Sequence, residues 1–381
     1  MRILLAILLC VGSLAAASTP KEPLKTDLFH GGEGGYKTYR IPALVVTVKG
    51  TLLAFCAARK DFSDWAEINI ALRRSTNGGK TWEPARIIAA QGESTVDNPT
   101  PIVDKNGTIH FLYQVNYAHV YYIRSDDDGK TFTPPVDLTP VVDKFHSEWN
   151  WIVVAPGPGH AIQLKNGRLL VPVWMSTSHT HRPSIVSTIY SDDHGKTWDR
   201  GAVVPTVFRD PGEGVATELA DGRVMLNIRN ENIEHRRAIA FSPDGISGWT
   251  KPVLQDELYE PVCFASSIRY HGKGGRCPNC VLFANPYNQS TTAIIPQYEM
   301  RPRDNLTVRL SCDSGKTWPI MKLLESGRTG YNDLAVAKDG SIYCLYEHGV
   351  PADNPLANAN LRIAHFSLDW LTSGKGCSQA Q

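Results

Sequence analysis

Charge of one sign is missing from this chain. Its 381 residues carry 39 Lys and Arg against 38 Asp and Glu, a formal net charge of +1. That balance offers no footprint for nucleic acid or for a polybasic membrane surface. Long apolar runs are missing too. Past the N-terminus no stretch reaches the ~20 residues that a spanning helix needs. No long segment has helical periodicity, and no low-complexity linker or second module interrupts the body. Length alone would suggest two or three domains.

The N-terminus differs. MRILLAILLCVGSLAAAS sets Arg2 before an apolar run that ends in Ala15-Ala16-Ala17. It reads as a secretory signal over residues 1–17. The main domain is then expected over 18–372 and a short tail over 373–381. The expected location is secreted or periplasmic, or the lysosomal lumen in a eukaryote. Cysteine is sparse, with seven residues after the signal: Cys56, Cys263, Cys277, Cys280, Cys312, Cys344 and Cys377. An odd number leaves at least one thiol unpaired within the chain. Cys277-Pro-Asn-Cys280 holds half the ligands of a zinc knuckle, so a strapped hairpin or two free thiols is the preferred reading.

What the chain does have is a recurring phrase. It reads STNGGKTW at 75–82, SDDDGKTF at 125–132, SDDHGKTW at 191–198 and SCDSGKTW at 311–318, with a worn copy, SPDGISGW, at 242–249. Successive serines lie 50, 66, 51 and 69 residues apart. That spacing is about one four-stranded propeller blade with room for inserted loops. Asp and Gly make a tight turn, Ser and Thr hydroxyls bond its backbone, and the aromatic packs beneath. The phrase is a structural turn. As a calcium loop it is too short and lacks a closing Glu.

Between the turns lie short β-branched, apolar runs: ALVVTV at 43–48, TLLAFCAA at 51–58, TIHFLYQV at 108–115, RLLVPVW at 168–174 and RVMLNIR at 223–229. Gly, Asn and Asp punctuate them, so the chain is expected to be all-β. Unusual charge gathers outside the repeats, in Tyr39-Arg40-Ile41-Pro42, in ARKDFSD at 58–64, in EGVATELADGRVMLNIR at 213–229, and in RPRDNLTVRLS at 301–311 with GYND at 330–333.

YRIP, the Asp-box turns, NPTP at 98–101, the E-x4-EL-x-DG-x5-R phrase and R-x-NLT followed by GY together resemble the exo-α-sialidase (neuraminidase) family. ALRRS at 71–75, APGPG at 155–159 and LYEHG at 345–349 resemble its secreted bacterial and lysosomal-type members. The resemblance covers residues ~25–370 and implies a six-bladed β-propeller with an active site on the central axis. It implies sialylated glycoproteins, glycolipids or oligosaccharides as substrates, and no metal or organic cofactor for the chemistry.

A sialic acid carries a carboxylate on its anomeric carbon, and arginine suits that anion because its planar fork stays charged. Matched residue by residue, the family's three arginines resemble Arg40, Arg229 and Arg303. Arg236 and Arg237, whose HRR context looks like a solvated face, are rivals for Arg229. Arg301 and Arg309 are rivals for Arg303. The same carboxylate disfavours a second carboxylate as nucleophile. At ~4 Å the repulsion is about 1 kcal/mol in water and about 4 at an intermediate effective dielectric. Tyr331 resembles the family's tyrosine nucleophile, an exception among retaining glycosidases. Glu213 resembles its base, with Glu218 more suited to a turn. Asp64 resembles the general acid, with Asp61 as rival, and neighbouring Trp65 could help close the pocket. Arg59, Asp97 and Asn98 match positions that approach the sugar's acyl and hydroxyl groups. His179 and His181 are read as exposed loop histidines. A trans-sialidase, or an inactive sialoglycan-binding propeller, are the alternatives. No aromatic acceptor platform is legible.

Overall fold

The computed structural model describes residues 21–272, 277–290, 292, 294–296, 299–351, 354, 357–374 and 377. The signal expected over 1–17 lies outside them. Among the described residues the named elements are strands joined by turns and loops, apart from two five-residue helices (Thr139–Asp143 and Leu368–Thr372) and a 3-10 turn at Lys144–Ser147. None of these is long and apolar enough to cross a membrane.

The strands form antiparallel meanders in which each strand pairs with the next in sequence. The first runs Thr38–Val46, Leu52–Arg59, Ile68–Ser75, Arg86–Ala89. The second runs Val96–Val103, Ile109–Val115, His119–Ser125, Val136–Asp137. The third is built on Val153–Pro156, Leu169–Ser176, Ser184–Ser191 and Asp199–Arg200. The fourth runs Gly214–Glu218, Val224–Ile228, Arg236–Ser242, Val253–Tyr259. Ser266–Arg269, Val281–Pro286 and Asp304–Ser311 begin a larger sheet, joined by the long strand Ile320–Val336 to Ile342–His348 and Asn360–Phe366. That long strand serves two meanders. Up to Arg328 it pairs with Asp304–Ser311, and from Thr329 it pairs with Ile342–His348. The N-terminal strand Leu24–His30 pairs with Asn360–Phe366, so the two ends of the domain share one sheet.

The leading strands of the meanders touch in order. Thr38–Val46 meets Val96–Val103, which meets Val153–Pro156. Gly214–Glu218 meets Leu169–Ser176 and Ser266–Arg269. The long strand touches Ser266–Arg269 on one side and Thr38–Val46 on the other. Apolar clusters fill the wedges between neighbouring sheets. Phe55 packs on Phe111 with ring centroids 4.8 Å apart, and Phe283 packs on Trp318 at 5.8 Å.

The repeated phrase folds as the turn read from it. In the second copy Ser125 Oγ donates to Asp127 Oδ1 (2.8 Å) and accepts from Gly129 N (2.9 Å), while Asp127 accepts from Thr131 N and Oγ1 (2.9 and 2.7 Å). The copies starting at Ser191 and Ser311 repeat these bonds. The worn copy keeps them with Ser247 in the threonine's place. The four full copies take left-handed backbone at two successive residues, for example Asp128 (φ 68°) and Gly129 (φ 76°), and of that pair the worn copy takes it only at Gly245 (φ 79°). Glycine adopts it at least cost.

Candidate active site

Three of the inner strands carry the same irregularity. Pairing runs Arg40↔Ala57 and then Ala43↔Phe55, so one extra residue bulges from the first. The second steps from Asp97↔Gln114 to Thr100↔Leu112, and the long strand from Thr329↔His348 to Asn332↔Tyr346. A bulge bends its strand and re-aims a side chain. Here the bulges hold Arg40–Ile41, Asn98 and Tyr331. Ile41 adopts φ 54° and Asn98 φ 59°. For β-branched Ile41 that conformation is strained.

The bulged residues open onto a cavity of about 330 Å³ whose lining includes Arg40, Arg59, Asp64, Asn98, Glu213, Arg229, Arg303 and Tyr331. At the other ends of the same strands lies a second cavity of about 220 Å³, lined mainly by aliphatic residues such as Leu44, Val46, Val103 and Val336. It holds neither the tyrosine nor the three arginines, so the candidate site is the first.

Tyr331 stands at the centre. Its phenol oxygen lies 2.7 and 2.8 Å from the two carboxylate oxygens of Glu213 and accepts from Arg229 Nη1 at 2.5 Å. Arg229 Nη1 also contacts Glu213 Oε2 at 2.5 Å. Arg40 and Arg303 place their guanidinium carbons 5.4 and 5.3 Å from the centre of the Tyr331 ring. Three cations, more than a hundred residues apart along the chain in places, therefore surround one phenol. Burial pushes that phenol well above its usual pKa, Arg229 opposing. Tyr331 is thus neutral, and its proton has a carboxylate waiting for it.

Asp64 sits across the mouth. Arg59 Nη1 contacts its Oδ1 at 2.5 Å and Arg40 Nη1 lies 3.6 Å away. Burial works to raise the Asp64 carboxyl, but the charges of Arg59 and Arg40 outweigh it and hold it well below the usual carboxylate range. Its side chain is 48 % exposed, open to an incoming molecule. Arg59 is fully buried and braced from behind by Asp97 Oδ2 at 2.7 Å. Asp97 itself is buried and outside the cavity lining.

The rivals lie elsewhere. Glu218 accepts from the Lys165 backbone N–H at 3.1 Å. Asp61 accepts from Phe62 N at 2.6 Å, on the surface. Arg301 Nε bonds His235 Nε2 at 2.8 Å, and Arg309 covers the Tyr287 ring. The solvated face expected for Arg236 and Arg237 is corrected at Arg237. It is fully buried, with Nη1 2.5 Å from Glu260 and Nε 2.6 Å from Asn227. A strand residue facing inward between two sheets carries the charge, and a buried carboxylate offsets it.

Sequence reasoning missed Glu347 and, of an aromatic wall, pointed only to Trp65. Glu347 is fully buried. Its Oε1 accepts from Arg40 Nε (3.0 Å) and Ile41 N (3.2 Å), and its Oε2 from Tyr331 N (3.1 Å) and Asn358 Nδ2 (2.8 Å). One carboxylate thus ties two of the bulges together. A lone Glu in the apolar strand IYCLYEH was the available signal. The wall consists of Trp65, Tyr117, Trp174 and His181. Trp65 lies 5.0 Å from Tyr117, and His181 lies 4.9 Å from Tyr117 and 5.1 Å from Trp174. His179 and His181 both line the cavity, with His179 the exposed one. Burial lowers the His181 pKa.

A family model described as a BNR repeat-like domain matches residues 50–344. A curated protein named sialidase from Micromonospora viridifaciens is 31% identical over 94% of this chain and 56% of its own length. Another, a sialidase of Bacteroides fragilis (strain YCH46), is 32% identical over 84% of this chain and 62% of its own. The chain therefore spans only a little over half the length of these two relatives. Among solved structures, the Hadza microbial sialidase Hz136 superposes with a TM-score of 0.76 at 27% identity, covering 91% of this chain and 69% of that one.

Proposed function

The chain belongs to the sialidase family, and from that premise we propose that it is a retaining exo-α-sialidase that hydrolyses terminal α-linked sialic acids from glycoproteins, glycolipids or oligosaccharides. The meanders are the blades of a six-bladed β-propeller, two of them sharing the long strand Ile320–Val336. The observation that carries the proposal is the Glu213–Tyr331–Arg229 contact inside a ring completed by Arg40 and Arg303.

In this reading the sugar's carboxylate docks among Arg40, Arg229 and Arg303. Tyr331 attacks the anomeric carbon while its proton passes to Glu213, and the glycosyl–oxygen bond to the aglycone breaks. A neutral phenol avoids the repulsion that a carboxylate nucleophile would meet. Asp64 protonates the departing oxygen, then takes a proton from the water that frees the sugar. Free Asp64 is held ionised by its arginines, so it needs help to act as an acid. The substrate's anion supplies that help by offsetting the charge of Arg40, which raises the Asp64 pKa once the sugar is bound.

A fluorogenic aryl sialoside tests the proposal. Turnover with release of sialic acid as its α-anomer, read by proton NMR before mutarotation, is the expected result. Tyr331→Phe should lower kcat at least about a thousandfold. Release of the β-anomer, or full activity of Tyr331→Phe, would remove the tyrosyl intermediate. One observation favours a second reading. Trp65, 44 % exposed, stands at the cavity mouth on its aromatic wall and could seat an acceptor sugar. In a trans-sialidase, added lactose would divert the glycosyl group into sialyllactose at the expense of free sialic acid.

A further inference from the structure

Four cysteines from three distant segments converge away from the active site. Cys277 and Cys280 flank a tight turn between Ser266–Arg269 and Val281–Pro286. Cys312 lies inside the last repeated turn, and Cys377 comes from beyond the C-terminal helix Leu368–Thr372. One sulfur from each lies within 4.8 Å of the other three. They are paired as Cys277–Cys280 and Cys312–Cys377. Yet Cys377 Sγ also sits 3.2 Å from Cys277 Sγ and 3.1 Å from Cys280 Sγ. Two unrelated disulfides have no reason to press all four sulfurs together.

A tetrahedral metal ion gives that reason. With Zn–S near 2.3 Å, the sulfurs of a tetrahedral all-thiolate site lie about 3.8 Å apart, within the span found here. A Cys-x-x-Cys turn is the usual way to offer two thiolates on one side of such an ion. The neighbouring groups fit as well. Arg269 donates to the Pro278 carbonyl within the turn (2.9 Å from Nη2), which places a cation beside a site of net negative charge. Ser314 N donates to Asn279 O at 2.9 Å, fixing the repeated turn to the Cys-Pro-Asn-Cys turn. Cys277 and Cys280 are buried.

We propose that Cys277, Cys280, Cys312 and Cys377 form a closed, structural zinc site that ties the C-terminal segment to the sheet bearing Arg303. The step starts from the reduced chain, before either pair is oxidised: four thiols lose their protons to solvent as the ion binds, and neither disulfide forms. With every position taken by sulfur, the site has no place for a substrate. It lies at the opposite end of the strand Asp304–Ser311 from Arg303, roughly 30 Å away by strand rise. The half-set read from Cys-x-x-Cys alone is completed by residues 312 and 377, which no local spacing connects. The inference does not depend on the sialidase reading.

The test uses the full chain purified without chelator. Elemental analysis should find about one zinc per chain, and p-hydroxymercuribenzoate should release it as the thiols react. All four cysteines should alkylate after denaturation without reductant. Cys312→Ser should lose the zinc. Should that variant fail to fold, wild type exchanged into cobalt should show the visible bands of a tetrahedral Co²⁺–thiolate centre. Zinc-free protein whose four cysteines alkylate only after reduction would carry two disulfides and overturn the proposal. Reduced protein that takes up neither zinc nor cobalt would overturn it too.

Discussion

At the scale of single residues, the cavity is governed by one phenol and the charges around it. Arg303 reaches Tyr331 with its guanidinium face while one nitrogen donates to the Val262 carbonyl at 2.6 Å. Its planar fork can serve that carbonyl and a ligand carboxylate together, which a lysine ammonium cannot. Arg303→Lys should therefore raise KM for a sialoside about 10- to 100-fold, the worth of one charge-assisted hydrogen bond. An unchanged KM would move the anion site away from Arg303. Asp64 gives a different signature. Its proton matters most when the departing oxygen is a poor leaving group. Asp64→Asn should cut kcat/KM on sialyllactose by about 10²–10⁴ while costing far less on a 4-nitrophenyl sialoside. Equal losses on both substrates would assign Asp64 a binding role only.

At the scale of elements, the bulges matter most. Gly330 precedes Tyr331, and a Cβ there would collide with Glu347 Oε2 and lie 3.2 Å from Asn358 Nδ2. Glycine is what lets the Glu347 carboxylate reach the backbone of the bulge. Gly330→Ala should push Glu347 off Arg40 and Tyr331 N, costing about 1–3 kcal/mol of stability and lowering kcat. A variant with wild-type melting and turnover would show that the bulge has other support. The repeated turns make a prediction in pH. The Thr197 hydroxyl and backbone bonds, opposed by slight burial, bring the Asp193 carboxyl down to about 2 from an ordinary 3.8. A folded value below the unfolded one gives stability that is present above about pH 4 and lost as the pH falls towards 2. Asp193→Asn should thus lower the urea midpoint at pH 7, with the gap to wild type narrowing as the pH falls below about 4 and closing only below about 2. A constant difference across that window would separate the turn from its charge. Asn77, which already holds Thr81 N at 3.0 Å in the first turn, shows that the geometry survives without ionisation.

Those elements also mark what was legible in advance. The turns announce themselves because each is local: Ser, Asp, Gly and Thr within eight residues make all their own bonds. The strands were legible for the same reason, with TLLAFCAA seen as Leu52–Arg59 and RVMLNIR as Val224–Ile228. The arginines were legible only through the resemblance, since nothing local distinguishes Arg303 from Arg301 or Arg309. What stayed hidden was non-local. Glu347 bonds Arg40 across 307 positions. The aromatic wall draws on segments near residues 65, 117, 174 and 181, and the cysteine cluster needs Cys377, read as part of a tail. Arg237 looked solvated because its neighbours are polar, while its buried partner Glu260 lies 23 residues on.

At the scale of the whole molecule, the first and last strands described lie side by side in one sheet. Leu24–His30 is the outermost strand of the sheet whose other members are Asn360–Phe366, Ile342–His348 and the end of the long strand. Leu28 and Phe29 are buried there, and Arg362 grips Asp27 in a fork, Nε to Oδ1 at 2.6 Å and Nη2 to Oδ2 at 3.0 Å. Burial of those two side chains contributes about 1.5–3 kcal/mol each, and the partly exposed fork about 1 kcal/mol or less. The consequence reaches the cavity through pairing: Asn360–Phe366 supports Ile342–His348, which presents Glu347 to Arg40 and Tyr331. Because Leu24–His30 covers the edge of the sheet that carries Glu347, loss of this strand should be felt as far as the cavity. Removal of residues 21–30 should expose the edge of Asn360–Phe366, strip its amides of hydrogen-exchange protection, and bring activity and tertiary structure down together at a lower urea concentration. In the intact chain the two should likewise vanish in a single transition. Activity that survives in the truncated protein, or that disappears in urea well before the tryptophan signal changes, would mean that the cavity is held by the inner strands alone and that the closing sheet serves only the ends of the chain.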